Sequence, residues 1–162
     1  MNDLATLPPV EGGCLCGAVR YRATPTHREG YYCHCRMCQR AFGNTRAAFI
    51  DLRKDAVEWT RGTPTSYASS SFAKRGFCGC CGTPLSFAYD DAPDLDLSVG
   101  SLDDPSAFAP VRHFAIETRI AAWHVEDGLA VERLDADAPT LARWRQACGD
   151  EAAPGIEATR AT

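Results

Sequence analysis

The sequence has no basic block or stripe, and its 162 residues carry a formal net charge of −4. Nucleic-acid binding leaves a basic footprint, so its absence argues against that class of partner. No run approaches the ~18 consecutive apolar residues of a transmembrane helix, which argues against a membrane span. The first ten residues, Met1 to Val10, lack both a basic region and a long apolar stretch, so no secretory signal is expected there. No internal repeat and no dividing linker interrupts the chain. These absences make a cytoplasmic protein the expectation. In that reducing compartment, clustered cysteines point to metal ligands or catalytic groups rather than disulfides.

Cysteine is what the chain does have. There are nine, and eight fall in three tight knots. The first is Gly13-Cys14-Leu15-Cys16-Gly17, the second Cys33-His34-Cys35-Arg36-Met37-Cys38, the third Phe77-Cys78-Gly79-Cys80-Cys81-Gly82. Only Cys148 stands apart. Disulfide geometry fits poorly: a Cys-x-Cys pair rarely bridges well, and adjacent Cys80 and Cys81 could bridge only with strain.

The apolar content of 45% supports a hydrophobic core in one domain of ordinary size. Short alternating segments recur: Ala18–Ala23, Tyr31–Cys35, Arg46–Leu52, Ala56–Thr60, Thr65–Phe72, Leu85–Tyr89, Leu95–Val99, Arg112–Ile116, Arg119–Trp123 and Leu129–Leu134. Strands at such spacing predict a mostly β domain. In Tyr31–Cys35 the alternation puts Cys33 and Cys35 on one face and His34 on the other. A short helix is expected from Arg36 to Phe42, ended by Gly43. Another runs from Ala138 to Cys148, with Leu141, Trp144 and Cys148 at helical spacing and Gly149 as the stop. The expected layout is a loose arm over 1–10, a zinc-binding β domain over 11–135, a C-terminal helix over 136–149 and a loose tail over 150–162. Trp59, Trp123 and Trp144 are expected in the core.

Zinc takes four ligands tetrahedrally, with thiolate a favoured donor. Cys78 and Cys81 form a Cys-x-x-Cys turn with Gly82 behind it, and Cys14 and Cys16 offer two sulfurs from one face of a strand. Two plus two makes a closed, structural site. Cys33, Cys35 and Cys38 are then three ligands with a fourth position open, the pattern of a catalytic zinc. Cys80 leaves an alternative: it closes the second site, or it is a spare thiol beside the first. The expectation is two zinc ions per chain, with full occupancy of the second not fixed by the sequence.

The three knots, with Ala18-Val19-Arg20-Tyr21 after the first, Gln39-Arg40-Ala41-Phe42-Gly43 after the second and Thr83-Pro84-Leu85 after the third, resemble the glutathione-dependent formaldehyde-activating enzyme family, which includes centromere protein V. Weaker likeness continues through Val99–Pro105 and His113–Trp123. The resemblance covers roughly residues 11 to 130. It implies a zinc-stabilised β-tent fold, Cys14, Cys16, Cys78 and Cys81 on a structural zinc, and Cys33, Cys35 and Cys38 on a catalytic one. It also implies a carbon–sulfur lyase activity of the S-(hydroxymethyl)glutathione synthase type, joining formaldehyde to glutathione. The middle knot reads Cys-His-Cys-Arg-Met-Cys where the glutathione-using members carry Cys-Gly-Cys-x-x-Cys.

The functional expectation is therefore a zinc-dependent carbon–sulfur lyase-type enzyme acting on a small thiol, such as glutathione, or on a thiol–aldehyde adduct. The alternative is a non-catalytic, zinc-stabilised binding module, and a thiol redox switch through Cys80 ranks behind both. His34 is expected as a packed or surface residue, and His113 and His124 as surface histidines, although either could shuttle a proton near neutral pH. Arg36, Arg40, Lys74 and Arg75 lie close to the knots and suit carboxylate groups on a thiol ligand. Taken singly, each is expected as a solvated charge.

Overall fold

A computed structural model of the protein describes residues 7–149. The expected tail at 150–162 and the first six residues of the expected arm lie outside the described residues. Of the arm's remainder, Leu7 donates its N–H to the Pro25 carbonyl at 3.1 Å, and Val10 opens the first strand.

The protein is mostly β, with two α-helices among the described residues. Among the described residues its contacts form two compact units, 7–30 with 49–109, and 31–48 with 110–149. The first unit contains β1 (Val10–Gly13), β2 (Arg20–Ala23) and β5 (Val57–Arg61), an antiparallel sheet in the order β1-β2-β5. In β2 the period-2 rule holds: Tyr21 and Ala23 are buried while Arg22 faces water. Gly12 pairs with Tyr21 in this sheet. A Cβ on Gly12 would sit 2.4 Å from the Tyr21 hydroxyl and 2.5 Å from the Ser101 carbonyl oxygen, so only glycine fits. The Tyr21 hydroxyl bonds Ser101 Oγ at 2.9 Å.

The same unit holds an antiparallel ladder in the order β4-β9-β8-β7-β6. Its strands are β4 (Ala47–Arg53), β9 (Asp94–Ser98), β8 (Pro84–Tyr89), β7 (Ala73–Phe77) and β6 (Thr65–Ser70). Tyr21, Ala23, Ile50, Leu52, Leu85, Leu97, Leu102 and Phe108 form the core, and Cys14 and Cys78 are packed among them. Burial of that apolar surface, at about 25 cal/mol per Å², is the main stabilising force.

The second unit is organised by β3 (Glu29–Cys33), β10 (Ala109–Phe114) and β11 (Ala130–Val131), in the order β3-β10-β11. After β3 comes helix α1 (Arg36–Phe42), closed by Gly43 in the left-handed region at φ 58°. Helix α2 (Ala138–Cys148) is capped by Asp137, whose carboxylate accepts from the Thr140 N–H at 3.0 Å, and it starts with a proline in its first turn. It seats Thr140 and Trp144 in the interior.

Several local expectations are corrected. Cys14 and Cys16 lie in the turn between β1 and β2, not on a strand. Strand β3 stops at Cys33 because Cys35 takes up the N-cap of α1, so His34 and Cys35 are not a continuing strand. Residues 119–123 form no strand: the Arg119, Trp123 and His124 N–H groups bond carbonyls three residues back. Those local turns use up the donors that a ladder needs. Trp123 sits in this segment and is 72% exposed, so it is not a core residue. The strand expected over 129–134 shrinks to the two residues of β11.

Candidate functional site

In the first unit the sulfurs of Cys14, Cys16, Cys78 and Cys81 all lie within 4.8 Å of one another. The turn after β1 brings Cys14 and Cys16 together at 3.6 Å, and Cys16 is 3.8 Å from Cys78. A tetrahedral zinc site with Zn–S bonds of about 2.3 Å has S···S edges of about 3.8 Å, so the four sulfurs fit such an ion. The supporting bonds suit thiolates. The Val19 N–H donates to Cys14 Sγ at 3.2 Å. Thr83 Oγ1 accepts from the Leu15 N–H at 3.1 Å and lies 3.1 Å from Cys81 Sγ, to which its own proton is free to point. Thr83 thereby ties the first knot to the third.

Charge in this cluster is divided. The Thr83 hydroxyl, then its backbone N–H, lower the Cys81 thiol to about 5. The Ala18 N–H lowers Cys16, but neighbouring Cys14 and Cys81 outweigh it and push that thiol up to about 12. Four thiolates do not coexist unaided; a dication resolves the conflict by deprotonating them outright. Cys80 is exposed and belongs to neither sulfur cluster.

In the second unit Cys33, Cys35 and Cys38 bring three sulfurs within 4.8 Å of one another. Among the described residues no fourth cysteine, histidine or carboxylate ligand atom joins them. Cys33 is the last residue of β3, Cys35 caps α1, and Cys38 lies in its first turn. Cys35 Sγ accepts the Cys38 N–H at 3.3 Å. Contact with Cys35 and Cys38, together with full burial, holds the Cys33 thiol well above its ordinary value. That penalty, too, is one a bound cation removes.

The turn carrying these sulfurs is fastened by groups that the sequence did not advertise. The His34 carbonyl accepts from Gln39 Nε2 at 2.6 Å and from Thr118 Oγ1 at 2.8 Å. Gln39 Nε2 also donates to the Thr118 carbonyl at 3.0 Å. Both residues are buried. Beside them Arg36, Gln39, Arg40, Asn44, Ile120 and Trp123 line an open cleft of about 340 Å³. Arg36 and Arg40, expected as solvated charges, thus share one concave surface; Arg36 Nη1 donates to Gln39 Oε1.

The histidines correct the expectation most. His34, His113 and His124 come together, each offering a ring nitrogen within 4.8 Å of the other two. His34 and His113 are 2% and 1% exposed, and the His124 side chain 5%. His113 and His124 are therefore not surface residues. His34 Nε2 and His113 Nδ1 are 2.8 Å apart, and His113 Nε2 is 3.0 Å from Asp127 Oδ1. Burial, reinforced by His113 and Arg46, lowers His34 to about 4, so it is neutral near pH 7. The His113 hydrogen bond holds the Asp127 carboxyl below its usual range.

Residues 9–118, more than half of the chain, match the family described as glutathione-dependent formaldehyde-activating enzyme. The chain belongs to that family. A Schizosaccharomyces pombe protein described as an uncharacterized lyase is 40% identical over 83 residues, which are 51% of this chain and 60% of the relative. This chain thus spans about three fifths of that curated relative. A solved structure of a Rhodobacter sphaeroides protein is similar over 62% of this chain and 97% of that one, at 25% identity and a TM-score of 0.49. Among the described residues no helix is long and apolar enough to cross a membrane.

Proposed function

We propose that the protein is a zinc-dependent carbon–sulfur lyase-type enzyme. It joins the sulfur of a small thiol to the carbonyl carbon of an aldehyde, with the thiol proton ending on the oxygen, or reverses that step. The observation that carries the reading is the three-sulfur cluster of Cys33, Cys35 and Cys38, which offers three ligands and no fourth from the protein among the described residues. Family membership and a relative described as a lyase support the reaction class. In this reading Cys14, Cys16, Cys78 and Cys81 hold a structural zinc, and Cys33, Cys35 and Cys38 hold a catalytic one, two zinc ions per chain.

Zinc held by the three cysteines supplies, when bound, a Lewis acid that keeps a substrate sulfur deprotonated at neutral pH. The chain's own residues do the rest. Cys38 N–H orients the Cys35 sulfur, and Gln39 and Thr118 clamp the His34 carbonyl so that the ligand turn keeps its geometry. Arg36 and Arg40 in the adjoining cleft offer charge-assisted hydrogen bonds to carboxylates, which glutathione carries and simple alkanethiols lack. Ile120 and Trp123 give the cleft an apolar wall.

The test is cobalt substitution read by absorption, with and without glutathione. Two thiolate-bound cobalt ions per chain, one of whose spectra changes on adding glutathione, are expected. Two thiolate-bound ions indifferent to glutathione and to other small thiols would overturn the enzyme reading and leave a zinc-stabilised binding module.

A further inference from the structure

Every sulfur that the proposed reaction uses is accounted for, yet the second unit holds another inward-turned set of metal-competent side chains that contains no sulfur. His34, His113 and His124 stand 79 and 11 residues apart in sequence and converge in the interior. Their ring centroids are 5.0, 5.2 and 5.8 Å apart, with none of the three pairs face to face. Histidine in a core is ordinarily satisfied by hydrogen bonds. Here two ring nitrogens, His34 Nδ1 and His124 Nδ1, are buried without a partner among the described residues. Three polar rings with two unmet nitrogens cost stability as a packing solution, since each unmet group costs about 1–3 kcal/mol.

The surroundings of the trio are those of metal ligands. A metal-bound histidine characteristically gives its other N–H to a carboxylate, which fixes the tautomer and strengthens the donor. His113 does this through Nε2, with Asp127 Oδ1 at 3.0 Å and Oδ2 at 3.2 Å. His124 Nε2 lies at ion-pair distance, 3.4 Å, from the exposed Glu126 Oε1. With the proton on Nε2, each of these two rings keeps its lone pair on Nδ1. Tyr32 stacks on His113 with centroids 5.2 Å apart, and the Arg46 guanidinium lies over the same tyrosine ring, 4.0 Å from its centroid. These contacts hold the His113 ring in place.

We propose that His34, His113 and His124 form a further metal site, made of imidazole nitrogens alone and separate in its donors from both sulfur clusters. Three neutral imidazoles suit a borderline divalent ion, zinc above all. A tetrahedral ion with Zn–N bonds of about 2.0–2.1 Å has N···N edges of about 3.3 Å. The 2.8 Å His34–His113 pair is therefore near the required spacing and needs only to open slightly. The ion takes the place of the proton between that pair, and this proton moves from His34 Nε2 to His34 Nδ1, so that His34 Nε2 and His113 Nδ1 both become donors to the metal. His124 joins through Nδ1. The protein's carboxylates at Asp127 and Glu126 stay in the outer shell, and no proton is released.

The experiment uses the full chain loaded with cobalt or zinc, with metal counted per chain and bound imidazoles read by nitrogen-15 NMR of labelled histidine. Wild-type protein should take up one equivalent beyond the thiolate-bound ions, adding no thiolate-to-cobalt charge-transfer absorption. Its His113 and His124 Nδ1 resonances should move to metal-bound values. Cys35→Ser should keep this equivalent, so failure here is distinguishable from failure of the lyase reading. His124→Gln should lose it while keeping the thiolate-bound ions. Because a buried histidine variant can misfold, Asp127→Asn serves as the second probe, with all three ligands intact and affinity expected to fall 10–100-fold. Unchanged metal count in both variants, or Nδ1 resonances unmoved by saturating metal, would overturn the site and leave a hydrogen-bonded histidine cluster.

Discussion

Replacing Cys16 by serine separates a metal ligand from an ordinary surface thiol. Cys16 is exposed, so the substitution opens no cavity in the core. A surface change of this kind normally moves stability by less than about 0.5 kcal/mol. Cys16 Sγ nevertheless sits 3.6 Å from Cys14 Sγ and 3.8 Å from Cys78 Sγ, where it completes a four-sulfur set. A metal bound only by the folded chain stabilises it by RT ln(1 + [M]/Kd), which is about 4.1 kcal/mol at a free concentration 1,000 times Kd. For a chain of this size each kcal/mol shifts Tm by about 2–4 °C. The ligand reading therefore predicts a fall of about 8–16 °C for Cys16→Ser at that metal level, against about 2 °C or less for a bystander. The assay is thermal unfolding followed by circular dichroism at fixed free zinc, repeated in excess chelator. In chelator the wild-type protein should fall to meet the variant. Neighbouring Leu15, 89% exposed, is the control, and Leu15→Ala should change little under either condition. A Cys16→Ser midpoint equal to wild type at saturating zinc, or a gap that persists in chelator, would refute the structural-zinc assignment.

Further outcomes follow from the same structure. Cys35→Ser should leave the thermal midpoint in excess chelator nearly unchanged, and with metal present should remove one thiolate-bound metal per chain and abolish any lyase activity; metal analysis with full retention would remove Cys35 from the ligand set. Leu85→Ala empties a fully buried core position and should cost about 2–5 kcal/mol in urea unfolding, with the thiolate-metal count intact. Thr118→Val keeps the shape but deletes the hydroxyl that donates to the His34 carbonyl, and should cost about 1 kcal/mol. Arg20 holds the Asp103 carboxyl below its usual range through paired hydrogen bonds. Its stabilising effect should be fully present above the ordinary aspartate value of about 3.9 and fade as pH falls below it. Both side chains are partly exposed, so the gap between wild type and Asp103→Asn should be under about 1 kcal/mol at pH 6 and vanish towards pH 2.

What the sequence made legible was what local spacing controls. Cys78 and Cys81 are three residues apart with Gly82 behind them, and their sulfurs meet as that spacing requires. The periodic Leu141 and Trp144 and the stop at Gly149 mark α2, and the helix spans 138–148 as expected. Long-range features left weaker traces. Nothing within a few residues of His113 or His124 shows that both turn inward toward His34. That outcome depends on the carbonyl of Phe114 accepting the His34 N–H at 2.9 Å, across 80 positions of chain. Residues 119–123 alternate well enough to look like a strand, but their N–H groups close local turns first. Thr83 had a faint signal: a hydroxyl two residues past Cys81, next to a glycine at φ 78°, is well placed to reach back to a sulfur.

The span of the four-sulfur cluster also sets a timetable for synthesis. Cys16 and Cys78 are 62 residues apart, so Cys14 and Cys16 leave the ribosome well before Cys78 and Cys81 exist. At about 5–20 residues per second the earlier thiols wait roughly 3–12 s before the site can close. The first unit is also interrupted, since residues 31–48 of the second are made before residues 49–109 complete it. A nascent chain thus exposes reactive thiols for seconds, and conditions that oxidise or alkylate cysteine should harm newly made protein far more than protein already loaded with metal.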